Sequence, residues 1–527
     1  MRTDKLLYPQ REPAKTRPAA TILLMRDNPL GASHQYEILM TKRSETASFA
    51  PGVYVFPGGG VDAADNMGDE VSTFAMAAVR EAFEELGVLL ARKPDGQYVD
   101  QTLLSSLTRQ PADGFLAEMK RHSLIPALDE VKWLCHWITD RDLPRRFDVH
   151  FYVASMPPGQ SPVADETEQF EPTWISPTLA LERYNVGTLK LIFPTIRTLE
   201  RLAACKTQSE VFNACVSGPL FSSCPRAGYL NGEDSRHMEY ESVYGELEMV
   251  CPDGQIVHGI EWNHEKPRAL AKHIQRLTAP NSSLMTGPGT NTYIIGEGAE
   301  FAVVDPGPLD EVHITRIADA VGTRLKYILC THSHPDHSPG AKLLKEKTGG
   351  TALIAGLKSL PTARAYSEFT PELQVVDGQL FKLGDTTLRV VLTPGHAANH
   401  CCFVIEEDKL LISGDHILNG STTIVDPPDG NMNDYINSLD VLYAQDIEFI
   451  LPAHGYVLGP AKPAIAHLKK HRLAREAKVI AAMKAAPSGS LEDWVKHAYA
   501  DTDARLHGIA LRSLTAHVER VRELGLV

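Results

Sequence analysis

THSHPDHSPGA, residues 331–341, decides how the C-terminal half of the chain is read. It follows directly on the apolar run KYILC at 326–330, so a strand delivers four ligand-type side chains at its end: His332, His334, Asp336 and His337. Alternate residues of an extended segment face one way. His332 and His334 can therefore meet one metal while Asp336 and His337 turn toward another. Three later residues each close a strand-like run: His396 in LTPGHAANH, Asp415 in LLISGDHIL and His454 in FILPAHG. Imidazole with carboxylate suits zinc-like borderline ions. A lone histidine at 396 or 454 would read as structural, but seven such groups in this order read as a two-metal centre.

This order of motifs resembles the metallo-β-lactamase fold superfamily. The resemblance implies an αββα sandwich and two Zn²⁺, Mn²⁺ or Fe²⁺ ions. One ion would lie on His332, His334 and His396 and the other on Asp336, His337 and His454, with Asp415 bridging. A water between two such ions becomes a nucleophile near neutral pH, and Asp336 is expected to orient it. The bridging aspartate separates the sequence from true β-lactamases. TGPGTNTYIIG (286–296), NHEKP (263–267), GDHILNGSTTIV (414–425) and the helical tail are similar to the branch containing the animal mitochondrial β-lactamase-like endoribonuclease. Single-stranded RNA is accordingly the favoured substrate of this half. Glyoxalase II shares the metal motif, which makes thioester hydrolysis, of the glyoxalase II or acyl-CoA type, the alternative.

In the other half, REAFEELGV (80–88) places Glu81, Glu84 and Glu85 at i, i+3 and i+4, on one face of a helix expected from about Asp69 to Arg92. Three like charges on one turn repel, and hard oxygen ligands with incomplete protein coordination suit Mg²⁺ or Mn²⁺ shared with substrate phosphates. Arg80 can hold one of these carboxylates in place. A strand and the glycine-rich loop FPGGGVD (56–62) precede the helix. The pattern resembles the Nudix hydrolase box, and RRFDVHFYVA with EPTWISPTLAL is similar to the coenzyme A diphosphatase subgroup. The implied reaction is pyrophosphate hydrolysis of a nucleoside-diphosphate derivative, with Arg80, Glu81, Glu84 and Glu85 in the catalytic machinery and Gly58 and Gly59 at the substrate. The family's early glutamate has no clear counterpart, because the gap from Gly60 to Arg80 is long; Glu70 is the candidate.

The remaining features set limits. The chain has 527 residues, 43% of them hydrophobic, with a formal charge of −14. That is enough apolar material for several cores and argues against a surface that binds nucleic acid throughout. No apolar run of membrane-spanning length is present, and no apolar signal region precedes Ala19, so a cytoplasmic location without membrane partners is expected. The eight cysteines contain no C-x-x-C and are read as reduced. Strands are expected at 19–25 and 36–40, with turn residues from Asp27 to Ser33 between them.

The boundaries read as a tail at 1–17, a Nudix α/β/α domain at 18–204, a connecting region at 205–275, the metallo-β-lactamase-fold domain at 276–460 and a helical, winged-helix-like extension at 461–527. That extension carries 12 Lys and Arg against 7 Asp and Glu. Its cluster Lys469, Lys470, Arg472 and Arg475 is the candidate contact for a phosphate chain. A small phosphorylated nucleotide or coenzyme A derivative is the expected partner of the Nudix half. The rival to a two-enzyme chain is a non-catalytic, ligand-sensing scaffold.

Overall fold

The computed structural model describes residues 1–29, 35–47, 50–110, 114–363 and 366–527. Part of the Asp27–Ser33 turn and the start of the loop before Gly52 fall outside them. The chain divides into two units, one formed by Glu12–Pro225 and the other by Met1–Arg11 together with Arg226–Val527.

The Glu12–Pro225 unit is built on an eight-stranded sheet. Its strands are β1 (Thr16–Asp27), β2 (Tyr36–Arg43), β3 (Tyr54–Val55), β4 (Gly58–Gly60), β5 (Lys132–Ile138), β6 (Arg146–Ser155), β7 (Gln169–Ile175) and β8 (Ser222–Ser223). They run in the order β8-β5-β6-β1-β2-β3, with β4 pairing β1 and β7 pairing β2. Helix α1 (Glu70–Leu86) lays Ala75, Ala78, Val79, Ala82, Phe83 and Leu86 against Ile22, Leu24, Leu39 and Tyr152. Asp69 caps its start by accepting from the Ser72 N–H, and Gly87, at φ 63°, ends it in the left-handed region. Only glycine takes that conformation without steric cost, so the helix stops well before the expected Arg92. Helix α2 (Phe193–Leu202) lies against the sheet through Thr198, whose hydroxyl accepts from Trp137 Nε1 at 3.1 Å, and Leu202, whose carbonyl accepts from the Tyr36 hydroxyl at 2.8 Å.

The second unit stacks two sheets whose strands lie side by side in sequence order, seven from Arg268–Ala271 to Leu373–Gln374 and five from Leu380–Leu383 to Phe449–Pro452. The period-2 pattern of each strand splits its side chains between two cores. Tyr293, Ile295, Val304 and Leu329 meet Leu388, Val390, Phe403 and Ile412 between the sheets. On the outer face of the first sheet, Ile294, Val303 and Ile328 pack on α3 (Glu311–Val321) and α4 (Ala341–Lys347). On the outer face of the second, Cys402, Val404 and Leu411 pack on α5 (Met432–Tyr443) and α6 (Ala461–Ala485). The result is the expected αββα sandwich. The tail adds α7 (Leu491–Ala498) and α8 (His507–Glu523), which share a small core with α6 through Val479, Met483, Trp494 and Leu514. All eight cysteines are free. Among the described residues no helix is long and apolar enough to cross a membrane.

The stretch 205–275, expected as a connecting region, is ordered and shared between the units. Its part up to Pro225 belongs to the first, while the hairpin Arg226–Leu230/Glu233–His237 and the helix Tyr244–Val250 belong to the second. Polar residues made this stretch look like a loop, yet Glu246 is fully buried and accepts from Arg276 and from His258 Nε2 at 3.2 Å. The first eleven residues of the expected 1–17 tail likewise form part of the second unit: Arg2 pairs with Asp408 at 3.0 Å and Lys5 with Glu297 at 2.8 Å.

Candidate functional site

Four loops carry the seven histidine and aspartate groups, and each follows the C-terminal end of a strand, namely Leu325–Leu329, Thr386–Leu392, Leu410–Gly414 and Phe449–Pro452. The loops therefore open at one edge of the sandwich. The Cys401 N–H donates to the Thr331 carbonyl at 2.8 Å, tying the first two together. Two sets of ligand atoms result, each lying within 4.8 Å of one another: His332, His334, His396 and Asp415 in one, and Asp336, His337 and His454 in the other. Asp415 faces both. Its Oδ2 is 3.5 Å from His396 Nε2, while its Oδ1 is 3.5 Å from His337 Nε2 and 3.2 Å from His454 Nε2.

The outer partners fix the tautomers. His332 Nδ1 donates to Thr331 Oγ1 at 3.0 Å, and that hydroxyl donates to Asp305 Oδ2 at 2.7 Å. His337 Nδ1 donates to Asp305 Oδ2 at 2.9 Å, His396 Nδ1 to the Ile424 carbonyl at 2.7 Å and His454 Nδ1 to the Gly289 carbonyl at 3.2 Å. Each of these four rings so turns Nε2 inward. His334 is reversed: its Nε2 lies 3.7 Å from Asp429 Oδ2, and its Nδ1 is 3.0 Å from both His332 Nε2 and His396 Nε2. Three imidazole nitrogens thus converge with their lone pairs pointing at one another, an arrangement that repels unless a cation sits among them.

The electrostatics agree with this fit. Burial holds His332 well below its ordinary pKa and brings His396 down to about 4, so both rings are neutral donors. Burial also opposes a charge on His454, but Asp415 and Asp336 outweigh it and raise that ring to about 10. Protons there do what divalent ions would otherwise do, balancing the buried carboxylates. His337 Nε2 and Asp415 Oδ1 are buried without a hydrogen-bond partner, as atoms reserved for a metal would be.

In the other unit, Arg80 is the hub of the carboxylate helix. Its guanidinium donates to Glu81 at 2.8 Å, to Glu84 at 3.0 Å, to the Gly60 carbonyl at 2.7 Å and to Asp65 at 3.0 Å. Glu85 accepts from the Gly58 N–H at 3.0 Å and from Gln169 Nε2 at 2.9 Å. Burial raises Glu81 to about 7 and Glu85 to about 8. A hard cation would offset that desolvation and draw both into the charged form. The glycines act through close approach, since a Cβ on Gly59 would overlap the Glu81 carboxylate and one on Gly58 would overlap the Ala20 carbonyl. Glu70 stands eleven residues before Glu81, about 16 Å along the helix at 1.5 Å per residue, away from these acids. Asp65, buried, meets Arg80 from the turn before the helix.

The basic cluster of α6 is not a free cationic surface. Lys469 pairs with Asp440, and Arg475 pairs with Asp501 at 2.7 Å. Arg472 is buried and donates to the Thr423 carbonyl. Lys470 is exposed. A cavity of about 360 Å³ opens beside His396 and Asp415; Leu284, Leu418, Ile424, Leu506 and Ile509 give it an apolar wall, and His471, Arg472 and Arg475 also line it.

The comparisons with known proteins follow the two units. Residues 285–454 match the metallo-beta-lactamase superfamily, and residues 67–202 match the NUDT19 Nudix domain. An atrochrysone carboxyl ACP thioesterase of Aspergillus chevalieri is 33% identical over 220 residues, 41% of this chain and 67% of the relative. Thioesterase pkgB of Emericella nidulans is 30% identical over 269 residues, 50% of this chain and 68% of the relative. A beta-lactamase-like protein 2 homolog of Caenorhabditis elegans is 27% identical over 276 residues, 50% of this chain and 89% of the relative. The chain belongs through its C-terminal half to the metallo-beta-lactamase superfamily, and an N-terminal Nudix domain is joined to it.

Proposed function

We propose that the chain is a two-site metal-dependent hydrolase, the C-terminal centre cleaving acyl thioesters and the Nudix unit cleaving the pyrophosphate of a nucleoside-diphosphate derivative. The observation that carries the thioester reading is the cavity beside His396 and Asp415, whose wall of Leu284, Leu418, Ile424, Leu506 and Ile509 suits an acyl chain. The thioesterase names of two relatives support it. RNA, favoured by the resemblance to the endoribonuclease branch and by the basic cluster of the tail, loses ground because Lys469, Arg472 and Arg475 are engaged within the protein.

His332, His334 and His396 would hold one ion and Asp336, His337 and His454 the other, with Asp415 between them. When bound, such a pair supplies Lewis acidity to the thioester carbonyl and lowers the pKa of water. The residues themselves set the geometry. Asp336 accepts from Thr290 Oγ1 at 2.9 Å and lies 3.4 Å from His454 Nε2; held by these contacts, its carboxylate would orient an attacking water and take its proton. A thiol ionises near pH 8.5, and the leaving thiolate therefore departs without a dedicated acid. In the Nudix unit Glu81, Glu84 and Glu85 would hold Mg²⁺ or Mn²⁺, with Arg80 keeping Glu81 and Glu84 in register.

The test is hydrolysis of acyl-pantetheine and acyl-coenzyme A thioesters by the full chain supplied with Zn²⁺ or Mn²⁺, run beside single-stranded RNA. Thioester cleavage that disappears in Asp415→Ala is the expected result. A metal-loaded protein that cleaves RNA and no thioester would overturn the reading.

A further inference from the structure

A second kind of imidazole cluster lies in the Glu12–Pro225 unit, away from the carboxylates of α1. The antiparallel register of β5 and β6 sets His136 opposite His150, and the β8 pairing sets Ser222 opposite His136. Asp148, two residues before His150 on β6, shares its face of the sheet. His136 Nε2 is 2.6 Å from Asp148 Oδ1, and one ligand atom from each of His136, Asp148 and His150 lies within 4.8 Å of the others. Glu70, in the first turn of α1, brings Oε1 to 3.7 Å from His150 Nε2.

Two features separate this cluster from an ordinary polar patch. First, His150 is 2% exposed and its ring is clamped between Phe74, at 4.0 Å, and Trp133, at 4.6 Å, yet its Nδ1 is buried without a hydrogen-bond partner. Leaving such a group unsatisfied is costly, and a ligand bound in the cluster would recover that cost. Secondly, His136 Nδ1 is held by Ser222 Oγ at 2.9 Å. Engaging one ring nitrogen from outside is how a protein aims the other at a metal.

We propose that His136, Asp148 and His150 form a separate binding site for a borderline divalent transition ion such as Zn²⁺, Co²⁺ or Ni²⁺, with the Glu70 carboxylate beside the His150 ring adding negative charge. Two imidazoles with one or two carboxylates match those ions, whereas Mg²⁺ and Ca²⁺ prefer oxygen throughout. Glu70 and Glu81 are about 16 Å apart along α1, and the site is therefore distinct from the acids around Arg80. An ion here fastens β5 to β6 beneath the first turn of α1, where Phe74 stacks on the His150 ring.

Trp133 supplies a local reporter, because a Co²⁺ ion beside the stacked His150 ring quenches its emission. The experiment titrates the metal-free full chain with Co²⁺, following tryptophan fluorescence and counting bound ions by native mass spectrometry. One component of the quenching should vanish in Trp133→Phe. It should also vanish in His136→Ala combined with Asp148→Asn, together with one bound ion per chain. Glu70→Gln, at an exposed position, should weaken that component about tenfold. An unchanged ion count in the double variant, or quenching that Trp133→Phe leaves intact, would overturn the site. Should the double variant not fold, the Trp133→Phe comparison decides alone.

Discussion

Asp305 Oδ2 lies 2.9 Å from His337 Nδ1 and 2.7 Å from the Thr331 hydroxyl that receives His332 Nδ1. One buried carboxylate thus orients a ring from each of the two ligand sets. It sits at φ 50°, a conformation that asparagine also tolerates. Asp305→Asn keeps the backbone and loses the charge, and the expected outcome is a 10- to 100-fold weaker hold on Zn²⁺, read by competition with a chromogenic chelator. Affinity equal to that of the parent would show that the ligands orient themselves.

Asp415 turns one carboxylate oxygen toward His396 and the other toward His337 and His454. Asp415→Ala should lower the ion content of the C-terminal centre from two per chain to one or none, measured by elemental analysis after dialysis against Zn²⁺. Two ions retained at full occupancy would refute its bridging place.

Gly59→Ala forces a methyl group into the Glu81 carboxylate. Pyrophosphate hydrolysis should fall at least tenfold while thioester hydrolysis stays within twofold of the parent. Loss of both activities together would contradict a local effect.

The apolar wall of the cavity sets acyl length if an acyl chain lies against it. Ile509→Trp fills part of the volume, and kcat/KM for a decanoyl thioester should drop at least tenfold more than for an acetyl thioester, since one methylene in a fitted pocket is worth about 1–3 kcal/mol. An equal loss for both chain lengths would place the acyl group elsewhere.

The buried pair of Glu246 and Arg276 gives a pH signature. Burial opposes the charge on Glu246, but Arg276 and His258 outweigh it and lower the group from an ordinary 4.5 to about 2. A carboxylate depressed in the folded state stabilises above its unfolded value, and the gain is lost as pH falls through the folded one. Acid unfolding should therefore draw on Glu246 between about pH 4.5 and 2. Glu246→Gln should cost about 3–5 kcal/mol at pH 7 by stranding Arg276 and should flatten that acid limb. Trp262, whose ring lies 4.7 Å from the Arg276 guanidinium, reports both by its fluorescence.

The seven-group motif is legible in sequence because strand ends bunch it, and strand alternation alone separates Tyr293 from Ile294 and Cys401 from Cys402. The supporting residues are not legible in the same way. Asp305 closes FAVVD as any turn residue would, and Thr290 and Asp429 lie in loops whose folding alone brings them to the centre. Asp65 escaped notice because it meets Arg80 through a turn, at a spacing no helical period shows. Counting charge on α6 overestimated a basic face because Asp440 and Asp501, which pair with Lys469 and Arg475, come from outside that helix.

The second unit is made of two pieces of chain with the whole of the first unit threaded between them. Residues 1–11 find their place only once residues far along the chain are available: Arg2 waits for Asp408, whose carboxylate is fully buried. Cutting the polypeptide at Pro225, where the units divide, would not yield two independent proteins. The C-terminal fragment would leave Asp408 facing His273 alone, at 2.8 Å, and supplying residues 1–11 as a separate peptide should restore what the cut removes.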